Sequence, residues 1–454
     1  MIKSINPATG ETLKTYEALS PEGLEDKLQA SADTFRTFRS RGMMDTRLQA
    51  LERLAILLRD RKEELGRLIT DEMGKPIKQA IAEIEKSASC CDYYAKNAKT
   101  ILKNEEIQTE HDASYVRWLP IGPVLAVMPW NFPFWQVIRF AAPALAAGNT
   151  ALLKHASNVP QCAMKLEELF READFPRHAF QTLLIPSSDV AKVIEDDRVK
   201  GVTLTGSEPA GRSVAEIAGK MIKPSVLELG GADPFIIMRS ADLKAAVETA
   251  VKARTMNTGQ SCIAAKRFIV HKAVYLDFLD KFSEAIMALK AGNPAEEDTD
   301  IGPLATASIR DELTEQVETS LSEGATLVVR GSVPEGEGNW YPATVLTDIP
   351  ASAPAAKEEM FGPVASIFRV ENIDEAIELA NATRFGLGSA AWTQDEDEQK
   401  RFIDELDAGF TAINGMTSSD PRLPFGGVKA SGYGRELSGL GMRAFLNAKT
   451  VTVD

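Results

Sequence analysis

Basic residues, histidine and cysteine are all scarce in this chain, and it has no long apolar run. Lysine and arginine number 51 against 65 aspartates and glutamates, for a formal net charge of -14, so no basic stripe exists to follow a phosphate backbone or an anionic membrane. Nucleic acid is not an expected partner. No stretch is apolar for long enough to span a bilayer, and the opening MIKSINPATGETL lacks the basic region, apolar core and cleavage site of a secretory leader. Neither a membrane nor an export route is expected, and a cytoplasmic location follows as an expectation. The four histidines (His111, His155, His178, His271) are scattered without HExxH spacing, and the four cysteines (Cys90, Cys91, Cys162, Cys262) form no CxxC pair. Cys90 and Cys91 are adjacent and poorly placed to bridge each other. No metal site and no disulfide framework is expected, which leaves cysteine and glutamate to carry any chemistry.

With 454 residues, 44% of them hydrophobic, the chain can bury a large core and is expected to form two or three domains. Residues 21–100 place apolar side chains such as Leu48, Leu51, Leu54, Ala55 and Leu58 at helical spacing among many charges, and read as two or three long amphipathic scaffold helices. From about residue 122 short apolar runs alternate with helical stretches: Val124 to Val127, Thr150 to Leu153, Thr182 to Ile185, Val202 to Thr205 and Val226 to Leu229. That alternation predicts an α/β fold with a parallel sheet. A second series begins near 230, with strands over 234–238 and 267–270 and helices over 242–256 and 273–290. Residues 331–342 and 415–424 read as loops. The closing Ala448 to Val453 reads as an edge strand able to pair with another element or another subunit.

Four motifs have the residue types that chemistry needs. Cys262 ends NTGQSC, a polar turn between a predicted helix and a predicted strand, which favours an exposed thiol over a packed one. Glu228 ends the apolar strand of VLELGG, where partial desolvation would raise its pKa toward that of a general base. Asn131 in PWNFP is held between prolines and can donate an amide hydrogen to an oxyanion. In LTGSEPAG, Gly206, Ser207 and Gly211 stand at a strand-to-helix entrance able to face a pyrophosphate, although the run is not GxGxxG. Each motif alone also has a plainer reading: a buried small cysteine, a solvated or lysine-paired glutamate, ordinary turn chemistry, a plain strand-to-helix turn. Cys90, Cys91 and Cys162 lie in helical patterns and take the plain reading.

Taken together and in order, PWNFP, LTGS, LELGG, NTGQSC, EEMFGPV and PFGGVKASG resemble the aldehyde dehydrogenase superfamily from about residue 4 to the end of the chain. The resemblance implies that Cys262 attacks an aldehyde as a thiolate, and that Asn131 with the Cys262 backbone N–H holds the resulting oxyanion. Hydride then passes to a nicotinamide, and Glu228 activates water against the thioester. It implies a cofactor site including Trp130, Lys154, Ser157, Gly206, Ser207, Glu359 and Phe361, with Glu359 on the nicotinamide ribose. The implied fold has a Rossmann-type dinucleotide-binding domain from residues 1–108 and 130–228, and an α/β catalytic domain from 229–427. A small β oligomerisation extension would combine a hairpin near 109–129 with 428–454. A homodimer or homotetramer is the expected assembly.

Two positions refine what the resemblance implies. NAD-preferring relatives place a glutamate three residues after the motif lysine; here Lys154 is followed by Ser157, which removes repulsion of a 2′-phosphate and predicts NADP over NAD. A lysine at the surface and a serine capping the next helix is the plain alternative. Arg139, on an otherwise apolar helix, resembles the arginine that holds the distal carboxylate in succinate-semialdehyde dehydrogenases, with Ser261 and Ser419 assisting and Trp135 as an apolar wall. Its plain alternative is an internal salt bridge. Met256 stands where some relatives have a second arginine, and Ile263 where some have a second cysteine. Other readings remain open at this point: a dehydrogenase for glutarate semialdehyde or an aliphatic aldehyde, a coenzyme A-acylating variant, a cofactor-independent cysteine hydrolase using His271 or another histidine, and a non-enzymatic oligomer.

Overall fold

Strands that are apolar on both faces form the centres of two parallel sheets, each covered by helices on both sides. The computed structural model describes residues 1–454. Its first sheet has six strands in the order Gly432–Tyr433, Ser225–Glu228, Gly201–Thr205, Pro123–Met128, Thr150–His155, Phe180–Thr182. All pair in parallel except Gly432–Tyr433. Alternate residues face opposite cores. Val124, Ala126, Ala151 and Leu153 pack with helices that include Met44–Asp60, Ile77–Ile101 and Trp135–Ala147. Leu125, Leu152, Val202 and Leu204 pack with helices Pro21–Phe38, Val190–Glu195 and Glu208–Lys220. The chain leaves the central strand Pro123–Met128 first toward Thr150–His155 and later returns on its other side at Gly201–Thr205. That reversal opens a crevice beyond the carboxyl ends of those strands.

The second sheet has seven strands in the order Thr326–Arg330, Thr344–Thr347, Val364–Val370, Arg267–His271, Pro234–Ile237, Gly388–Trp392, Phe410–Ile413. Only its first pair is antiparallel. Phe235, Phe268 and Trp392 pack against helices Leu243–Thr255 and Tyr275–Met287 on one face, while Ile236, Ile269 and Ala391 meet helices Ile373–Asn381 and Glu396–Glu405 on the other.

A third sheet runs Leu446–Val453, Ala113–Pro120, Glu105–Glu106, all antiparallel, with pairing from Leu446↔Pro120 to Val453↔Ala113. This corrects the hairpin expected near 109–129. Residues 123–128 follow a short turn, yet they are buried on both faces and take the middle of the six-stranded sheet, while Ala113–Pro120 remains half-exposed and pairs with the end of the chain. No helix is long and apolar enough to cross a membrane.

The expected scaffold over 21–100 is four helices, Pro21–Phe38, Met44–Asp60, Lys62–Met73 and Ile77–Ile101. One buried carboxylate ties the last of them to the first sheet's core. Glu83 accepts the N–H groups of Phe134 at 2.9 Å and Trp135 at 3.0 Å, satisfying two orphan donors at the start of helix Trp135–Ala147, and pairs with the buried ammonium of Lys75. Replacing Glu83 by alanine strands both the cation and the amides. We expect it to cost about 3–5 kcal/mol, read as a lowered midpoint of thermal or urea unfolding, whereas Lys75→Met with Glu83→Gln together should cost less than Glu83→Ala alone.

Candidate functional site

The loop carrying Cys262 is held in an unusual backbone. After helix Leu243–Thr255, Asn257 and Thr258 both take φ of +55° and Gly259 +75°. A side chain at Gly259 would collide with the Gly362 carbonyl, so only glycine fits there. Left-handed asparagine and threonine are costly and persist because neighbours fix them. The Asn257 side-chain amide donates to the carbonyls of Asn131 (2.8 Å) and Gln260 (3.0 Å), the Asn257 N–H donates to Gln79 Oε1 (2.6 Å), and Thr258 Oγ1 accepts the Gly302 N–H (3.0 Å). Lys266 Nζ donates to the carbonyls of Ser261 (2.9 Å) and Cys262 (2.7 Å).

Asn131 meets this loop from the other sheet. Its Nδ2 donates to the Gln260 carbonyl at 3.1 Å and its Oδ1 accepts Gln136 Nε2 at 3.0 Å, so the amide is oriented and one of its hydrogens stays unclaimed. The Cys262 backbone N–H has no acceptor in the chain either. The turn that carries Asn131 is pinned by His155, which is buried, its pKa held down to about 4 by desolvation, and therefore neutral. Its Nε2 lies 2.9 Å from the Pro133 carbonyl and its Nδ1 accepts the Ala156 N–H at 2.9 Å.

Two cavities meet at Cys262. The larger, about 550 Å³, occupies the crevice at the carboxyl ends of the six-stranded sheet. Trp130, Asn131, Gly206, Ser207, Glu228, Glu359 and Phe361 line it. The other, about 340 Å³, is lined by Trp135, Arg139, Ser261, Ser419 and Phe425. Cys262 and Gln136 line both, and no histidine lines either. In the larger cavity the Ser207 hydroxyl stands at the start of helix Glu208–Lys220 without capping it, and the Trp130 and Phe361 rings meet edge to face at 5.8 Å. Glu359 accepts the Gly231 N–H at 3.1 Å and lies 3.2 Å from Lys266 Nζ. The paired glycines of LELGG make room for two neighbours, since a side chain at Gly230 would strike the Glu359 carboxylate and one at Gly231 the Cys262 carbonyl. A mononucleotide-sheet crevice with a free helix entrance, two aromatics and a seated carboxylate fits a dinucleotide.

Glu228 ends its strand as a fully enclosed carboxylate with neither oxygen hydrogen-bonded. Burial pushes its pKa well above the carboxylate range, and the nearby Glu436 pushes it further while Arg139 and Arg435 oppose. Gly426 accommodates it, because a Cβ there would stand 2.5 Å from Glu228 Oε1. Cys262 is half-buried as a residue, with its thiol enclosed where the cavities meet. Burial pushes the thiol up to about 12, against the pull of Arg139 and Lys266. The resting group is therefore a thiol and not a standing thiolate.

The aldehyde dehydrogenase family model matches residues 1–451. The chain belongs to the aldehyde dehydrogenase family. It is 54% identical over its whole length to a succinate-semialdehyde dehydrogenase [NADP(+)] of Mycobacterium avium, 96% of which is covered, and 53% identical to succinate-semialdehyde dehydrogenase [NADP(+)] 1 of Mycobacterium tuberculosis, 99% of which is covered. Among solved structures it is similar to the succinic semialdehyde dehydrogenase of Streptococcus pyogenes in complex with NADP+, with TM-score 0.98, 36% identity and full coverage of both chains.

Within this aldehyde dehydrogenase fold, three of the expected residues are placed differently from the rest. Lys154, half-buried near the end of strand Thr150–His155, and Ser157, exposed in the next turn, lie outside the lining of the larger cavity. Ser157 is not a helix cap: helix Pro160–Glu172 begins after Val159, and its first N–H groups, those of Gln161 and Cys162, go to the Glu72 carboxylate at 3.0 and 2.9 Å. Arg139 borders the smaller cavity, but its Nε is committed to a buried ion pair with Glu436 and its Nη2 to Thr205 Oγ1 at 3.2 Å. The internal ion pair named as the plain alternative for Arg139 is thus present, together with its place in the cavity lining.

The sequence reading passed over Gln79, Asn257, Gln260, Lys266, Gly426 and Glu436, which clamp or surround the site. The left-handed turn could be suspected only from Asn257 preceding Thr-Gly. The resting thiol state has a direct check. Alkylation by iodoacetamide should modify Cys262 alone, because the other three cysteines are buried in helices. Its rate should climb about tenfold per pH unit between pH 8 and 10, with Cys262→Ser as the blank; a rate that levels off below pH 7 contradicts a protonated resting thiol.

Proposed function

We propose that the chain oxidises succinate semialdehyde to succinate with NADP, and that the reaction takes place where the two cavities meet at Cys262. The observation that carries this reading is the sharing of one enclosed thiol between a dinucleotide-shaped crevice and a separate chamber. Its relatives named as NADP-dependent succinate-semialdehyde dehydrogenases support the substrate and cofactor.

In this reading the aldehyde enters through the smaller cavity and its carbonyl carbon reaches Cys262 Sγ. The thiol proton passes to Glu228, whose raised basicity and unpaired oxygens suit it to accept one. The S–C bond forms as the carbonyl π pair moves onto oxygen, and that oxyanion is held by the free Asn131 amide hydrogen and the Cys262 N–H. NADP, when bound, would supply the hydride acceptor that lets the C–O double bond re-form as a thioester. Once Glu228 has released that first proton to solvent, it takes a proton from the water whose oxygen attacks the thioester carbon, and sulfur departs as thiolate, recovering a proton from Glu228 as succinate is released. Trp130, Gly206, Ser207, Glu359 and Phe361 would hold the cofactor, with Lys154 and Ser157 toward its 2′-phosphate. Trp135, Arg139, Ser261 and Ser419 would surround the substrate, and the buried Ser261 hydroxyl, which has no partner in the chain, supports that role. A cofactor-independent hydrolase is disfavoured, because no histidine reaches the thiol's surroundings.

The domain roles follow the same reading. Residues 1–108 and 130–228, now with strand Pro123–Met128, would bind the dinucleotide, and 229–427 would carry catalysis. The three-stranded sheet would join subunits in a homodimer or homotetramer through the free edge of Leu446–Val453. A cytoplasmic location is the accompanying reading.

The decisive assay follows reduced nicotinamide absorbance with NADP or NAD against succinate semialdehyde, glutarate semialdehyde and butanal. The expected result is highest kcat/KM with NADP and succinate semialdehyde, abolished in Cys262→Ser; no NADP reduction with any aldehyde removes the proposal. Ser157→Glu should move the kcat/KM preference toward NAD by about tenfold or more, and an unmoved ratio rejects Ser157 as the cofactor discriminator. Asn131→Ala should lower kcat by about 10²–10³ with little change in KM; a loss confined to KM argues against an oxyanion role.

A further inference from the structure

The smaller cavity needs a cation for an anionic aldehyde, and the cation expected there, Arg139, is already neutralised by Glu436. Two lysines also line it: Lys252, exposed at the end of its helix, and Lys86, half-buried on helix Ile77–Ile101. Neither forms a salt bridge. Lys86 Nζ donates to Ser419 Oγ at 2.7 Å and lies 4.4 Å from the centre of the Trp135 ring. The two carboxylates whose charge reaches it are committed elsewhere. Glu83, one turn back on the same helix, serves Lys75 and the Phe134 and Trp135 amides, and Asp420, next to Ser419, is held by Arg422 at 2.6 Å. A half-buried ammonium with no counter-ion in its own chain is unfavourable unless something arrives to balance it.

We infer that Lys86 is the specificity-determining residue that holds the distal carboxylate of the substrate, with Ser419 positioning its ammonium and Trp135 flanking it. The inference rests on the proposed oxidation of an anionic aldehyde and names the residue that recognises the anion. Arg139, which also lines the cavity, is committed to Glu436 and Thr205 and contributes to the field at Glu228. Burial first, and then the like charge of Arg139, draw Lys86 down to about 8, while Glu83, Cys90 and Asp420 oppose. Lys252 is the remaining charge on the cavity wall. Lys86 is thus charged at neutral pH and loses its proton, and its hold on an anion, as pH rises past 8.

The test uses the full-length enzyme with saturating NADP and reads the ratio of kcat/KM for succinate semialdehyde to that for butanal. Lys86→Met should lower this ratio about tenfold to a hundredfold, with the loss in KM for the semialdehyde and not in kcat, and Lys86→Arg should restore most of it. In the wild type the ratio should fall as pH rises from 7 to 9.5, and in Lys86→Arg it should stay flat. A ratio within about twofold of wild type in Lys86→Met overturns the inference, as does a wild-type ratio that is level across that range. If Lys86→Met does not fold, the pH profiles of wild type and Lys86→Arg decide alone. Should the wild type oxidise butanal but not succinate semialdehyde, the substrate reading fails by itself. Succinate inhibition of butanal oxidation then still reads the cation: weaker inhibition in Lys86→Met upholds Lys86 as an anion site, and equal inhibition overturns it.

Discussion

The Gln260 carbonyl is the point on which the site depends. It accepts amide hydrogens from Asn131 at 3.1 Å and from Asn257 at 3.0 Å, and so bonds the loop of one sheet to the loop of the other immediately before the thiol. Without that junction the Asn131 amide and the Cys262 N–H would belong to two bodies free to drift apart. With it, the donors for a developing negative charge share one buried frame. The frame is costly to break, because every member is enclosed and would be left unpaired. The left-handed turn at Asn257 and Thr258 is tolerated for the same reason.

Charge placement follows a single logic around that frame. Lys75–Glu83, Arg139–Glu436 and Lys266–Glu359 all have at least one fully enclosed partner. Such pairs contribute little net stability compared with apolar packing. What they provide is direction. Glu83 seats the helix that begins with the chamber wall, Lys266 holds the two carbonyls around the nucleophile, and Arg139 with Glu436 sets the field felt by Glu228. Glu228 is left without any donor, which keeps its proton affinity high and its side chain unrestrained by hydrogen bonds.

Much of this was legible in the chain itself, wherever one residue's role is announced by its immediate neighbours. Cys262 follows a glycine-containing turn, Glu228 ends a strand before paired glycines and Asn131 sits between prolines, although the Cys262 thiol is enclosed where its turn suggested exposure. The hairpin near 109–129 comes from the resemblance and not from the chain's own pattern, in which Val124 to Val127 already counts among the parallel-sheet runs, and Pro123–Met128 does lie in the middle of that sheet. Glu83 and Lys86 were illegible. On an amphipathic helix a charge facing a cavity looks the same as one facing water, and nothing local distinguishes them. Glu436 and Gly426 act across some two hundred residues of sequence on Glu228, a separation at which no motif operates.

The last strand has one further consequence. Leu446–Val453 is paired along one side only, so eight residues present a bare backbone edge rich in threonine and valine. A run of that composition is a template for fibril growth, and Lys449 lies near its midpoint. A stacked copy in register would bring like ammonium groups about 4.8 Å apart, the spacing between strands. That repulsion acts as a guard, rejecting endless stacking while leaving room for a closed pairing that sets the cations apart.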